Sequence, residues 1–340
     1  MFAGQRGSDL RRTAVHAAAR AVHAVRSHWG TRFVAVGSGL LTLAVAVLVA
    51  RLFVRTSVPL SNGRFSLLAA AWLLLLVGYA LKVLAWRRLF AVDERPHPLA
   101  LVVANAGASI LGVVLPARLA DLLRIAIVRR SPSCPAGVRS LCLSLVMLGL
   151  IDSAALAPFA LAAAVFPGYT IGMSAGLALV AGAGVAAAAI TLVVPRLAAN
   201  RQLLRYRVAR WLRPRASTLP NAAAVAALLS VCWLVRAAAV MILLGALGVG
   251  FSFPLAVLFL CAGKMAGALP GGQAGAGGAV LIASGVGGAR AVDVAVSGQA
   301  LAILCGLAML LFAAVWLIAV RFMAARGVAT SPPELKALVV

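Results

Sequence analysis

The sequence predicts an all-α polytopic membrane protein. About six transmembrane helices are joined by two opposed re-entrant helical hairpins, the whole arranged as an inverted repeat. Three observations predict this. The 340 residues are 64% hydrophobic and 11% charged, with a mean hydropathy of +1.06, too apolar for a soluble chain that must cover its core with polar surface. Apolar runs recur at lengths near the roughly 20 residues that span a bilayer. Two of those runs are interrupted by proline-centred breaks, Leu111–Arg124 around Pro116 and Ala268–Gly278 around Pro270. Ala, Val and Leu without strict alternation favour helices over a membrane barrel.

Residues 1–32 carry six arginines and one acid, Asp9. They read as a retained, basic, amphipathic cytoplasmic segment rather than a cleaved leader, because the apolar run 33–50 is long and is followed by Arg51. Further runs lie at 66–85, 99–115, 140–165, 172–194, 222–247, 253–269 and 294–320.

Charge placement orders these runs. The loop 86–98 holds Arg87, Arg88 and Arg95, and 118–139 holds five arginines. If every run spanned once, these two basic segments would face opposite sides, against the positive-inside rule. A re-entrant hairpin over 99–130, entering from the cytoplasm with its apex near Pro116, removes the conflict. A second hairpin over 253–290 then enters from outside, with its apex at Pro270-Gly271-Gly272. The loop 195–221, with seven arginines, stays cytoplasmic, as does the tail 321–340. Both termini are therefore expected in the cytoplasm. The loop 51–65 falls outside despite Arg51, Arg55 and Arg64.

The resulting domains are a first repeat over 33–165 and a second over 172–320. Each reads span, span, hairpin, span, and the second starts from the opposite side. A shift of 154 superposes the two Leu-Pro pairs and the runs after the hairpins, and it carries Lys82 onto Arg236. Paired breaks in corresponding halves point to a binding site at the repeat interface.

The charged residues within or beside these runs are the candidate site. Arg118, Asp121 and Arg124 recur at helical spacing on one stripe behind Pro116, and the acid can pair with either arginine. Arginine's planar fork suits a phosphate. Asp152 and Arg236 each lie mid-span, where ionisable residues usually mark function and face one another. An Asp152–Arg236 pair is the simplest expectation. Lys264 is placed to reach the second hairpin tip or to snorkel outward. The Pro270-Gly271-Gly272 break permits close backbone approach and could present amides to an anionic headgroup, but it lacks the ending of a Walker loop.

Other chemistry is excluded or unsupported. There is no HExxH motif and no carboxylate cluster, with only seven acids in the chain, so no catalytic activity is expected. The four histidines lie outside the spans, so no metal site or cofactor is expected. The five cysteines form no CxxC pair and read as small buried apolar residues. The net charge of +24 fits basic cytoplasmic loops and attraction to anionic lipid. It is spread over loops rather than gathered on a soluble domain, so no nucleic-acid partner is expected.

At its two breaks the chain resembles the flippase-like integral membrane proteins that include the transmembrane region of lysylphosphatidylglycerol synthases. Pro116, Arg118, Asp121 and Arg124 match a Pro-x-Arg-x-x-Glu-x-x-Arg-type motif, with Asp121 in place of Glu. Pro270, Gly271 and Gly272 match the start of a Pro-Gly-Gly-Leu-Gly-x-x-Glu-type motif whose Glu is replaced here by Gly277 or Gly278. The resemblance covers roughly residues 35–325. It implies a multi-pass protein of the cell (inner) membrane that moves or handles a phosphate-bearing polar lipid or lipid-linked sugar, translocating without synthesising it. Arg118 and Arg124 would bind the phosphate, Asp121 would orient them, and Asp152 and Arg236 would line the cavity. The other readings are a secondary transporter of a soluble anion and a non-catalytic scaffold for a lipid-modifying or polysaccharide enzyme.

Overall fold

Long runs of Ala, Leu and Val have one stable answer in a bilayer: a helix, whose backbone groups all pair within the segment. The computed structural model describes residues 62–112, 117–131, 134–166, 169–199, 221–267 and 272–325. The described residues are helical and contain no strand. The helices are α1 (Asn62–Arg88), α2 (Pro98–Leu111), α3 (Ala117–Arg130), α4 (Val138–Ala164), α5 (Ile171–Ala199), α6 (Ala222–Ala246), α7 (Phe253–Ala266), α8 (Gly272–Ala283) and α9 (Gly288–Ala325).

Five of them, α1, α4, α5, α6 and α9, are long and apolar enough to cross a membrane. Their outer faces carry large apolar side chains in the open, among them Leu179, Leu192, Leu311 and Ile318. A water-facing surface rarely presents so much contiguous apolar area, whereas lipid accepts it. The chain is a multi-pass membrane protein. These helices correspond to the predicted runs at 66–85, 140–165, 172–194, 222–247 and 294–320. The predicted span at 33–50 lies outside the described residues. α9 begins at Gly288, earlier than predicted, and so takes in residues assigned above to the second hairpin.

The interrupted runs became pairs of short helices. α2 and α7 have 14 residues each, about 21 Å at 1.5 Å per residue, which falls short of a hydrocarbon core of ~30 Å. Both start at capped positions. His97 Nδ1 accepts from the Leu99 amide at 3.3 Å, and Ser252 Oγ accepts from the Leu255 amide at 3.4 Å. Pro98 and Pro254 sit in the first turn, where a missing N–H costs nothing. α2 packs against α3, and α7 against α8.

The most extensive pairings are α1 with α6 and α4 with α5. Polar links cross between the spans. Trp86 Nε1 on α1 donates to Ser144 Oγ on α4 at 3.0 Å, and Cys232 Sγ on α6 donates to the Gly78 carbonyl on α1 at 3.2 Å. Small residues set the α4–α5 distance. A Cβ at Gly184 on α5 would lie 2.5 Å from the Ser153 carbonyl oxygen and 2.7 Å from the Ala157 Cβ. Both obstacles are rigid, so Gly184→Leu is expected to push the helices apart at a cost of about 1–3 kcal/mol or more. A thermal unfolding midpoint in detergent equal to that of the native protein would contradict this.

Candidate functional site

Asp152 sits mid-helix on α4 and is only 2% exposed. A buried carboxylate needs partners, and three helices supply cations. Lys264 on α7 donates from Nζ to Asp152 Oδ2. Lys82 on α1 places its Nζ 3.7 Å from the same oxygen. Arg236 on α6 is close enough to act on Asp152 electrostatically, but it rests elsewhere: its guanidinium lies 4.8 Å from the centroid of the Trp233 ring.

Trp233 organises the cluster. Its indole N–H donates to the Asp152 backbone carbonyl at 3.0 Å, fixing α6 against α4 at the level of the carboxylate. Its ring carries Arg236 and also the Lys264 ammonium, 5.4 Å from the centroid. Both distances suit cation–π attraction. Gly78 on α1 makes room for Arg236, since a Cβ there would lie 3.1 Å from the arginine Cγ.

No family model, curated protein or solved structure matches this chain. What the site can do therefore rests on its own residues.

The fold brings Asp152, Arg236 and Lys264 together, as separate sequence signals had marked them. The pairing differs from the expected one. Asp152 is neutralised by the two lysines, and Arg236 is held by an aromatic face. Lys264 turns inward to Asp152 instead of serving the hairpin tip or snorkelling, because α7 packs against both α4 and α6. Asp121 and Arg124 form an ion pair on α3, the arginine the less exposed of the two. Arg124 also acts electrostatically on Lys82, which links the first motif to the central cluster. The Arg118 side chain, Pro116, Pro270 and Gly271 lie outside the described residues. Gly272 is the first residue of α8. Gly277 and Gly278, at the place of the motif's missing Glu, are buried, and Gly277 approaches Phe259 so closely that a Cβ there would clash with its ring.

Two residues of the cluster were not selected from the sequence. Lys82 lies near the end of an apolar run, where a lysine reads as a boundary. Its correspondence with Arg236 under the shift of 154 was the available signal. Trp233 gave none, because tryptophan in a span is ordinary.

Chemically the arrangement receives anions. The lysine side chains keep 20% (Lys82) and 34% (Lys264) of their surface accessible, against 3% for the carboxylate. The acid thus holds the cations while their side chains stay partly exposed. Asp152 Oδ1 and Arg124 Nε are buried with no hydrogen-bond partner among the described residues. Unpaired groups of this kind ask for an explanation, and for Arg124 an anion is the natural one.

Proposed function

We propose that this protein is a membrane lipid translocase of the flippase-like type, which reads the phosphate of a polar lipid and moves its headgroup between leaflets. One observation carries the reading: Lys82 and Lys264 pair with one buried carboxylate, Asp152, and Arg236 rests on the Trp233 ring beside them, inside a bundle of apolar spans. Intramembrane charges are costly to keep, face the interior and mark substrate paths. An excess of cations there suits a phosphate, which arginine and lysine bind through charge-assisted bonds.

The pathway rests on the inverted repeat. In support, the Cys232–Gly78 contact joins residues 154 apart, so it maps onto itself. The same shift carries Asp152 onto Gly306 and Ile110 onto Lys264. The first combination, Asp152 with Lys264, is an ion pair. The second is also a close approach, with a Cβ at Gly306 falling 2.8 Å from Ile110 Cγ1. In this reading α2–α3 and α7–α8 are re-entrant hairpins entering from the cytoplasmic and outer sides. The headgroup enters from the inner leaflet of the cell membrane, its acyl chains stay in lipid, and alternate exposure of the hairpin tips moves it across. The protein acts as a carrier rather than a catalyst, with both termini cytoplasmic.

The test is leaflet exchange of a fluorescent phosphatidylglycerol in vesicles containing the full chain. Arg236→Gln removes a cation without unpairing Asp152. It is expected to slow exchange about tenfold, the loss of one charge-assisted hydrogen bond. The double variant Arg118→Ala/Arg124→Ala is expected to do the same. Exchange at the native rate in both would rule out the site. Uptake of a soluble phosphate ester without lipid exchange would favour an anion transporter instead.

A further inference from the structure

We infer that the site selects a doubly charged phosphomonoester headgroup over a singly charged phosphodiester. The inference rests on the phosphate-reading role proposed above and names the class of lipid.

The argument is a charge balance in a medium that does not tolerate imbalance. Among the described residues, Asp152 pairs with Lys82 and Lys264, and Arg236 shares the Trp233 ring with Lys264. The nearby Arg124 is balanced by Asp121. With both lysines protonated, the central cluster therefore holds three positive charges and one negative, a net +2. In water such an excess would be screened. Within a bundle of apolar spans it is not, and an uncompensated charge is expensive. A phosphodiester such as phosphatidylglycerol brings one negative charge and leaves +1 behind. A phosphomonoester such as phosphatidic acid brings up to two above its second ionisation, near pH 6 to 7, and leaves the cluster neutral.

Donor geometry agrees. A terminal phosphate has three free oxygens. Three cationic heads stand on three different helices: Lys82 on α1, Arg236 on α6 and Lys264 on α7. Trp233 holds two of them on one ring. A phosphodiester has two free oxygens and would leave one head unmatched. Asp152, behind the cations, is what keeps the excess at two rather than three.

The experiment uses the full chain in phosphatidylcholine nanodiscs. Binding of short-chain phosphatidic acid, short-chain phosphatidylglycerol and water-soluble glycerol 3-phosphate is measured at pH 8 and at pH 6. At pH 8 phosphatidic acid is expected to bind at least tenfold more tightly than phosphatidylglycerol. At pH 6, where the phosphomonoester takes up a proton and both lysines are fully charged, the two lipids carry the same charge and the preference is expected to shrink. Arg236→Gln, which lowers the excess to one, is expected to bring the two lipids within about threefold at pH 8. Lys82→Gln provides the same reduction from another helix, should Arg236→Gln fail to fold.

Equal binding of the two lipids to the native protein would overturn this inference and leave the lipid-reading role standing. Glycerol 3-phosphate binding as tightly as phosphatidic acid would support the preference for a doubly charged group and overturn the lipid as its source. No ligand binding above the phosphatidylcholine background would overturn both.

Discussion

Asp152→Ala is expected to destabilise the protein by about 3–5 kcal/mol, the cost of removing one member of a buried charge cluster. The replacement removes the one negative charge that neutralises Lys264 and Lys82. It leaves three cations acting on one another between apolar helices. The lower end of the range is favoured because the Lys264 side chain is 34% exposed and its ammonium can recover some solvation. The loss is specific to charge. In the triple variant Asp152→Leu/Lys264→Met/Lys82→Met apolar side chains of similar volume replace the acid and both its partners, an exchange that is often neutral or stabilising, so at least half of the lost stability should return. Unfolding of the purified protein in mixed micelles measures both. A triple variant no more stable than Asp152→Ala would show that the site is held by packing alone, with the charges incidental.

Trp233→Ala is expected to lower stability by about 3–5 kcal/mol and to weaken phosphate binding about tenfold. Trp233 is 3% exposed and belongs to the central core, so its removal leaves a large cavity between α6 and α4. It also removes the platform beneath Arg236 and Lys264 and the hydrogen bond to the Asp152 carbonyl. Trp233→Phe separates these roles. The smaller ring still offers a face to the cations, while the lost N–H costs about 1 kcal/mol. Binding within about threefold of native for Phe, and a large loss for Ala, would assign the ring to holding the cations. Equal binding losses in the two variants would assign the hydrogen bond that role instead.

These expectations concern residues of unequal visibility. Asp152 and Arg236 stood out because an ionisable side chain in an apolar run has no bland explanation. Lys264 stood out for its place before the second break. Lys82 and Trp233 did not, one resembling a span boundary and the other ordinary lipid-facing tryptophan. The expected Asp152–Arg236 pair failed for a related reason. Sequence shows which charges lie at similar depth, but not which helix face each occupies. A rotation of one residue about a helix axis turns a side chain by about 100°, enough to exchange a carboxylate for an aromatic ring as its neighbour.

The helical class and five of the spans were determined by the sequence alone. Hydropathy and run length decide whether a segment can leave water, and a bilayer then requires its backbone to pair internally. The two interruptions were equally legible, because proline and glycine act locally on the backbone. Partner choice came only with the tertiary structure. The approach of α1, α4, α6 and α7 gathers residues far apart in the chain around one carboxylate. Small residues such as Gly78 set how near these helices come, and at that range the difference between an ion pair and a cation resting on an aromatic face is decided within a few ångströms.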